Sequence, residues 1–131
     1  AVLAERGYTV LVPAVDADGN EVAGVRCPMV QAPLGTYAGW NIRARGFGEG
    51  ATHEFSGSYI PFPEDAAVRA ATGDPRLSIL ERYGSAEGYI AAIERACREL
   101  VAEGFMLEED VERSIARAGD WGRPLHDVKL L

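Results

Sequence analysis

Residues 32–62, APLGTYAGWNIRARGFGEGATHEFSGSYIPF, hold six of the chain's eleven aromatic side chains (Tyr37, Trp40, Phe47, Phe55, Tyr59 and Phe62) together with six glycines. For most of its length this stretch has neither helical nor strand periodicity. Flexible linkers lack groups worth burying, so the rings predict an ordered loop packed by its own aromatics on a larger body. Long ordered loops are uncommon in compact domains and tend to carry function, which makes this one the first place to look for a site. The alternative is that the rings only fill a core.

Upstream, residues 8–15 (YTVLVPAV) and 22–30 (VAGVRCPMV) are β-branched and apolar. The turn formers between them, residues 16–20 (DADGN), predict a hairpin with a loop of about five residues. Pro13 and Pro28 cannot donate to a ladder and push both strands to edge positions. Downstream the pattern turns helical. Pro63 opens a helix with Glu64 and Asp65 in its first turn, and Gly73 with Pro75 stops it. Residues 78–83 add a short helical turn up to Gly84, and Ser85 caps the longest helix, which runs to about Glu103 before Gly104.

On that helix Tyr89, Ile90, Ile93, Ala96, Cys97, Leu100 and Val101 make one apolar stripe. Leu107, Val111 and Ile115 give a shorter amphipathic helix ending near Gly119, and the two make an αα-hairpin. Residues 120–131 have no clear period, with Trp121 expected to dock on the body. The fold class is therefore α+β, in four stretches: 1–31 extended or β-hairpin, 32–62 the aromatic glycine-rich loop, 63–119 helical and 120–131 a tail. Together they suit a single domain or a domain fragment.

The chain is 47% hydrophobic and 25% charged, an ordinary globular composition. No apolar run is long enough to span a bilayer, and no signal-peptide pattern is present, so no membrane partner is expected. The first residue is Ala1 rather than methionine, which predicts further sequence upstream and leaves the compartment open. A net charge of −7 with no basic stripe lacks the footprint of a nucleic-acid binder. Cys27 and Cys97 lie far apart and outside any C-x-x-C spacing, and they are expected as two buried free thiols.

Candidate chemistry is sparse. Asp16, Asp18 and Asn20 imitate the start of a calcium loop, but Glu21 and Cys27 occupy the positions that need Gly and Glu, so a solvated turn is expected. Residues 46–51 (GFGEGA) imitate a dinucleotide fingerprint without a helix to follow. No G-x-S-x-G elbow occurs: Ser56 and Ser58 flank Gly57, and Pro61 and Pro63 forbid the helix an elbow requires. The two histidines stand beside carboxylates, His53 by Glu54 and His126 by Asp127, but adjacent side chains usually point apart. No catalytic residue, metal ligand or cofactor is assigned.

Residues 33–43 (PLGTYAGWNIR) resemble the C-terminal signature of the bacterial alpha/beta hydrolase domain-containing proteins. The resemblance extends upstream through residues 12–20 (VPAVDADGN) and downstream through 57–62 (GSYIPF), 73–76 (GDPR) and 81–84 (ERYG), covering roughly residues 8 to 118 in consistent order. It implies that the chain is the C-terminal, cap or pocket-wall portion of a larger serine hydrolase acting on carboxylic esters or related acyl bonds. The nucleophilic serine and catalytic histidine would then lie upstream, and the partners would be the rest of the parent hydrolase and a small ester substrate. On that reading Thr36, Tyr37, Trp40 and Asn41 line the substrate pocket. Two alternatives stand beside it: Tyr37 and Trp40 only anchor the appendage, or the chain is a self-contained small-molecule or protein binding module.

Overall fold

The structure, a computed structural model, describes residues 11, 13–53 and 55–120. Among them, five helices and four short strands confirm the α+β class. The helices are α1 (Pro28–Gln31), α2 (Ala66–Thr72), α3 (Ile79–Tyr83), α4 (Ala86–Ala102) and α5 (Val111–Ala118). The strands are β1 (Gly35–Ala38), β2 (Asn41–Ile42), β3 (Thr52–His53) and β4 (Ser58–Pro61).

The helical half follows its sequence signals closely. Helix α2 begins at Ala66 rather than at Pro63, so Glu64 and Asp65 are not in its first turn and Asp65 is instead its N-cap, accepting the Val68 amide; Ser78 and Glu81 form a reciprocal capping box on α3. Ser85 accepts the Gly88 amide at the start of α4. Helices α4 and α5 pack as the expected αα-hairpin, with Ile93, Cys97, Val111 and Ala118 essentially sealed from solvent and Ala32 and Tyr89 joining the same cluster. The C-terminus of α3 runs directly into the first turn of α4. A Cβ at Gly88 would lie 1.9 Å from the Tyr83 carbonyl oxygen, so only glycine permits that approach.

The N-terminal half departs from expectation in two places. Residues 22–30 do not form a second hairpin strand: Val15 and Glu21 make a single antiparallel bridge, and Pro28 starts helix α1. At the first helical position its missing N–H costs nothing, and the Val30, Gln31 and Ala32 amides return to the Cys27 and Pro28 carbonyls. Residues 8–10 and 12 of the expected first strand lie outside the described residues, as does the tail from Trp121 onward. Cys97 is buried as expected, but Cys27, at the exposed start of α1, is not.

The second departure is the aromatic segment, which is a two-tiered hairpin rather than an irregular loop. β1 pairs with β4 antiparallel, with Gly35 opposite Pro61, Thr36 opposite Ile60, Tyr37 opposite Tyr59 and Ala38 opposite Ser58. β2 and β3 pair beyond it, Asn41 opposite His53 and Ile42 opposite Thr52. Strands of four and two residues are too short to print an alternation on the sequence. At Gly35 an added Cβ would meet the Tyr59 ring at 2.5 Å and the Ile60 carbonyl at 2.6 Å, so the ladder closes there only on glycine.

One side of β1 is taken by β4, and the other edge is closed by a side chain. The fully buried Asn20 amide accepts the Tyr37 N–H on Oδ1 (2.8 Å) and donates from Nδ2 to the Gly35 carbonyl (3.2 Å), standing in for a third strand. Asn20→Ala leaves both backbone groups without a partner and is expected to lower unfolding stability by about 2–4 kcal/mol. Phe47→Ala, at a ring 76% exposed near the hairpin tip, should change it by no more than about 0.5 kcal/mol. Urea denaturation of the two variants checks the contrast.

Candidate functional site

The turn at residues 16–20 is a fastening, not a solvated loop. Asp16 Oδ1 accepts the Asp18 and Asn20 amides at 3.0 Å each, and its Oδ2 accepts from Arg26. Asp18 is bound by Arg82 of α3, with Nη1 to Oδ2 at 2.8 Å, and its carbonyl accepts the Thr36 hydroxyl. All three side chains that mimic a calcium loop are therefore occupied in holding the turn against β1 and α3. Among the described residues no group of three or more His, Cys, Asp or Glu converges as a metal site.

This fastening shapes a cavity of about 490 Å³ between the turn and the outer face of the hairpin. The strand face contributes Thr36, Ala38, Ser58 and Ile60, the turn side Pro13, Val15, Gly19 and Glu21, and the far end Trp40, Asn41 and Ile42. The four residues expected to line a pocket thus border one cavity. They do not contribute equally. The Thr36 hydroxyl is already committed, donating to Asp18 and accepting from Arg76 Nη1 at 2.8 Å. Tyr37 alternates to the opposite face, where its ring lies 5.0 Å from that of Tyr59. Trp40 and Asn41 keep free donors: the indole N–H and the Asn41 Nδ2 have no hydrogen-bond acceptor among the described residues, while Asn41 Oδ1 accepts the Ile42 amide at 2.8 Å.

Behind the strand face, Tyr37 and Tyr59 approach Tyr83 and Tyr89, whose rings meet edge-on at 5.2 Å. Tyr59 donates to the Leu34 carbonyl at 3.1 Å and Tyr83 to the Pro33 carbonyl at 2.7 Å, so these two half-buried phenols have partners. Burial pushes Tyr37 and Tyr83 up to about 12 and also raises Tyr59 and Tyr89. On the sheet side, Arg76 donates to the Ile60 carbonyl (3.0 Å) and the Pro61 carbonyl (3.2 Å) while Asp74 braces it at 2.5 Å. The Arg76 hydrogen bonds hold the Asp74 carboxyl down at about 2. Arg76 and Arg82 flank the buried Phe62 ring, 5.1 and 4.3 Å from its centroid.

Among the described residues, no nucleophile is paired with a base at the cavity. Ser58 is on β4, in extended backbone, and its hydroxyl donates to the Trp40 carbonyl at 2.9 Å. His53 stands opposite Asn41 on β3 with its ring 5.9 Å from Phe55, and its buried Nδ1 has no partner among the described residues. Glu54, and His126 with Asp127, lie outside the described residues.

Comparison with known families adds the context for this arrangement. The sequence model described as an alpha/beta hydrolase domain matches residues 3–116. The chain belongs to the alpha/beta hydrolase domain family. No curated protein and no solved structure matches it. The family match runs through the turn, the hairpin and the α4–α5 pair, so the cavity lies wholly within the family-defining region.

Sequence reasoning missed Glu21, Ser58 and Ile60 as cavity residues. The pairing of Thr36 with Ile60 and Ala38 with Ser58 puts the strand residues there, and only the register reveals it. Glu21 arrives through the turn and carries no local signal. The tyrosines give a pH test. A folded-state value raised above the ordinary 10 means that the stabilisation is fully present below about 10 and is lost as pH rises through about 12. In an alkaline titration at 295 nm, Tyr37 and Tyr83 should ionise only near pH 12, together with loss of the near-UV dichroism. Tyr37→Phe should remove one late-ionising phenol.

Proposed function

We propose that the chain is the C-terminal, pocket-wall portion of a serine hydrolase acting on carboxylic esters or related acyl bonds, with the nucleophile supplied by sequence upstream. The observation that carries the reading is an apolar-walled cavity inside the family-matched region that Thr36, Trp40 and Asn41 border with the backbone at Tyr37, beside a serine and a histidine that are not assembled for catalysis. A pocket wall needs shape and a few orienting polar groups, not a triad. The rest of the parent hydrolase is the expected partner, and the exposed apolar side chains of Val15, Trp40, Ile42 and Ile60 suit a surface facing a substrate or the adjoining core.

The isolated 131-residue chain is expected to give no turnover of p-nitrophenyl acetate or butyrate above the buffer rate. Turnover that disappears in Ser58→Ala would overturn the assignment of the nucleophile elsewhere. A second reading, a self-contained binding module, draws on the sealed cluster around Ile93, Cys97 and Val111, which gives the chain a core of its own. A cooperative thermal transition of the isolated chain with sharp near-UV signals favours that reading; weak tertiary signals with dye binding favour a piece that completes its core on the parent protein.

A further inference from the structure

We propose that the cavity beside β1 and β4 binds the apolar portion of an uncharged ester, and that Glu21 excludes the corresponding free carboxylate. This rests on the pocket-wall reading and extends it to the class of molecule accepted. The walls are apolar, from Val15, Ile42 and Ile60, and a volume of about 490 Å³ lies within the range of small-molecule pockets. Polar capacity at the rim has a definite sense. The Trp40 indole N–H and the Asn41 Nδ2 are donors without acceptors among the described residues, suited to an ester carbonyl.

Charge supplies the selection. Glu21 borders the cavity and its carboxylate has no hydrogen bond or ion pair among the described residues, so its charge is not neutralised locally. Among the described residues no lysine or arginine borders the same cavity, and Arg76 spends its guanidinium on Thr36, Ile60, Pro61 and Asp74. A carboxylate bound there would meet a like charge across a half-open rim, whereas an ester of the same length would not. A hydrolase pocket built this way holds the ester and repels the acid it releases.

The test uses the Trp121→Phe chain, in which Trp40 is the only tryptophan. Its emission is followed while methyl octanoate or sodium octanoate is added at pH 8, below the solubility limit of each. The ester should blue-shift Trp40 saturably, and octanoate should bind about tenfold more weakly, the ratio expected of one solvent-screened like-charge contact. Glu21→Gln should bring the ratio down to about twofold by tightening octanoate, and Ile42→Arg, at an exposed wall position, should abolish the ester signal. Equal binding of both ligands in the parent chain, or a ratio unmoved by Glu21→Gln, overturns the proposal. Saturable signal from neither ligand also overturns it and assigns the surface to contact with protein. The pocket-wall reading fails separately, by esterase turnover in the isolated chain, so the two failures are distinguishable.

Discussion

The N-terminal half depends on one side-chain amide lying where a strand should be. β1 has β4 on one edge only, and an isolated two-stranded ribbon with an open edge is marginal in water. Asn20 closes that edge from a turn that is itself held by Asp16 and tied to α3 through Asp18 and Arg82. The clamp therefore does two things at once. It completes the hydrogen bonding of β1, and it sets Val15, Gly19 and Glu21 at a fixed distance from the strand face, which is what makes a cavity there instead of a flat ribbon.

The tyrosine cluster links this half to the helices. Tyr59 and Tyr83 both donate to successive carbonyls of the Pro33-Leu34 segment, one from β4 and one from α3, so the chain entering β1 is gripped from the sheet and from the helical side. Ala32 and Tyr89 belong to the same buried cluster as Ile93 and Val111, which places the start of the hairpin in the core of the αα-hairpin. The contrast implied by the sequence, a self-sufficient helical pair beside a loosely attached aromatic segment, does not hold at β1. It holds farther out, where Phe47 and Phe55 project into solvent and the short β2–β3 pair is the only ladder.

What the sequence makes legible follows the range of the forces involved. Helix starts and stops are local, set by Asp65, Ser78, Ser85 and the glycines that end each segment, and they are readable within a residue or two. Pro28 misleads because a proline is equally at home at a strand edge and at the first position of a helix, and only the return of the Val30 and Gln31 amides to the Cys27 carbonyl decides between them. Asp16, Asp18 and Asn20 mislead for a related reason. Turn formers look solvated by composition, whereas each of these also holds a partner 10 to 64 residues away in the chain. The family resemblance singles out Thr36, Tyr37, Trp40 and Asn41, but how they are placed, with Tyr37 turned inward and Thr36 saturated, is a property of strand register.

The same register bears on where hydrolytic chemistry can be built. A nucleophile elbow needs a strand that delivers a serine into a tight turn followed at once by a helix, the geometry of a parallel βαβ unit. Every strand pair among the described residues is antiparallel, and both serines near the cavity precede Pro61 and Pro63 rather than a helix. The Ser58 hydroxyl donates to the Trp40 carbonyl, an acceptor too weakly basic to activate it as a nucleophile. Among the described residues the hairpin thus offers no elbow on its cavity face. Its fixed backbone, closed on one edge by β4 and on the other by Asn20, lets apolar side chains stay exposed on that face without the ladder beneath them opening.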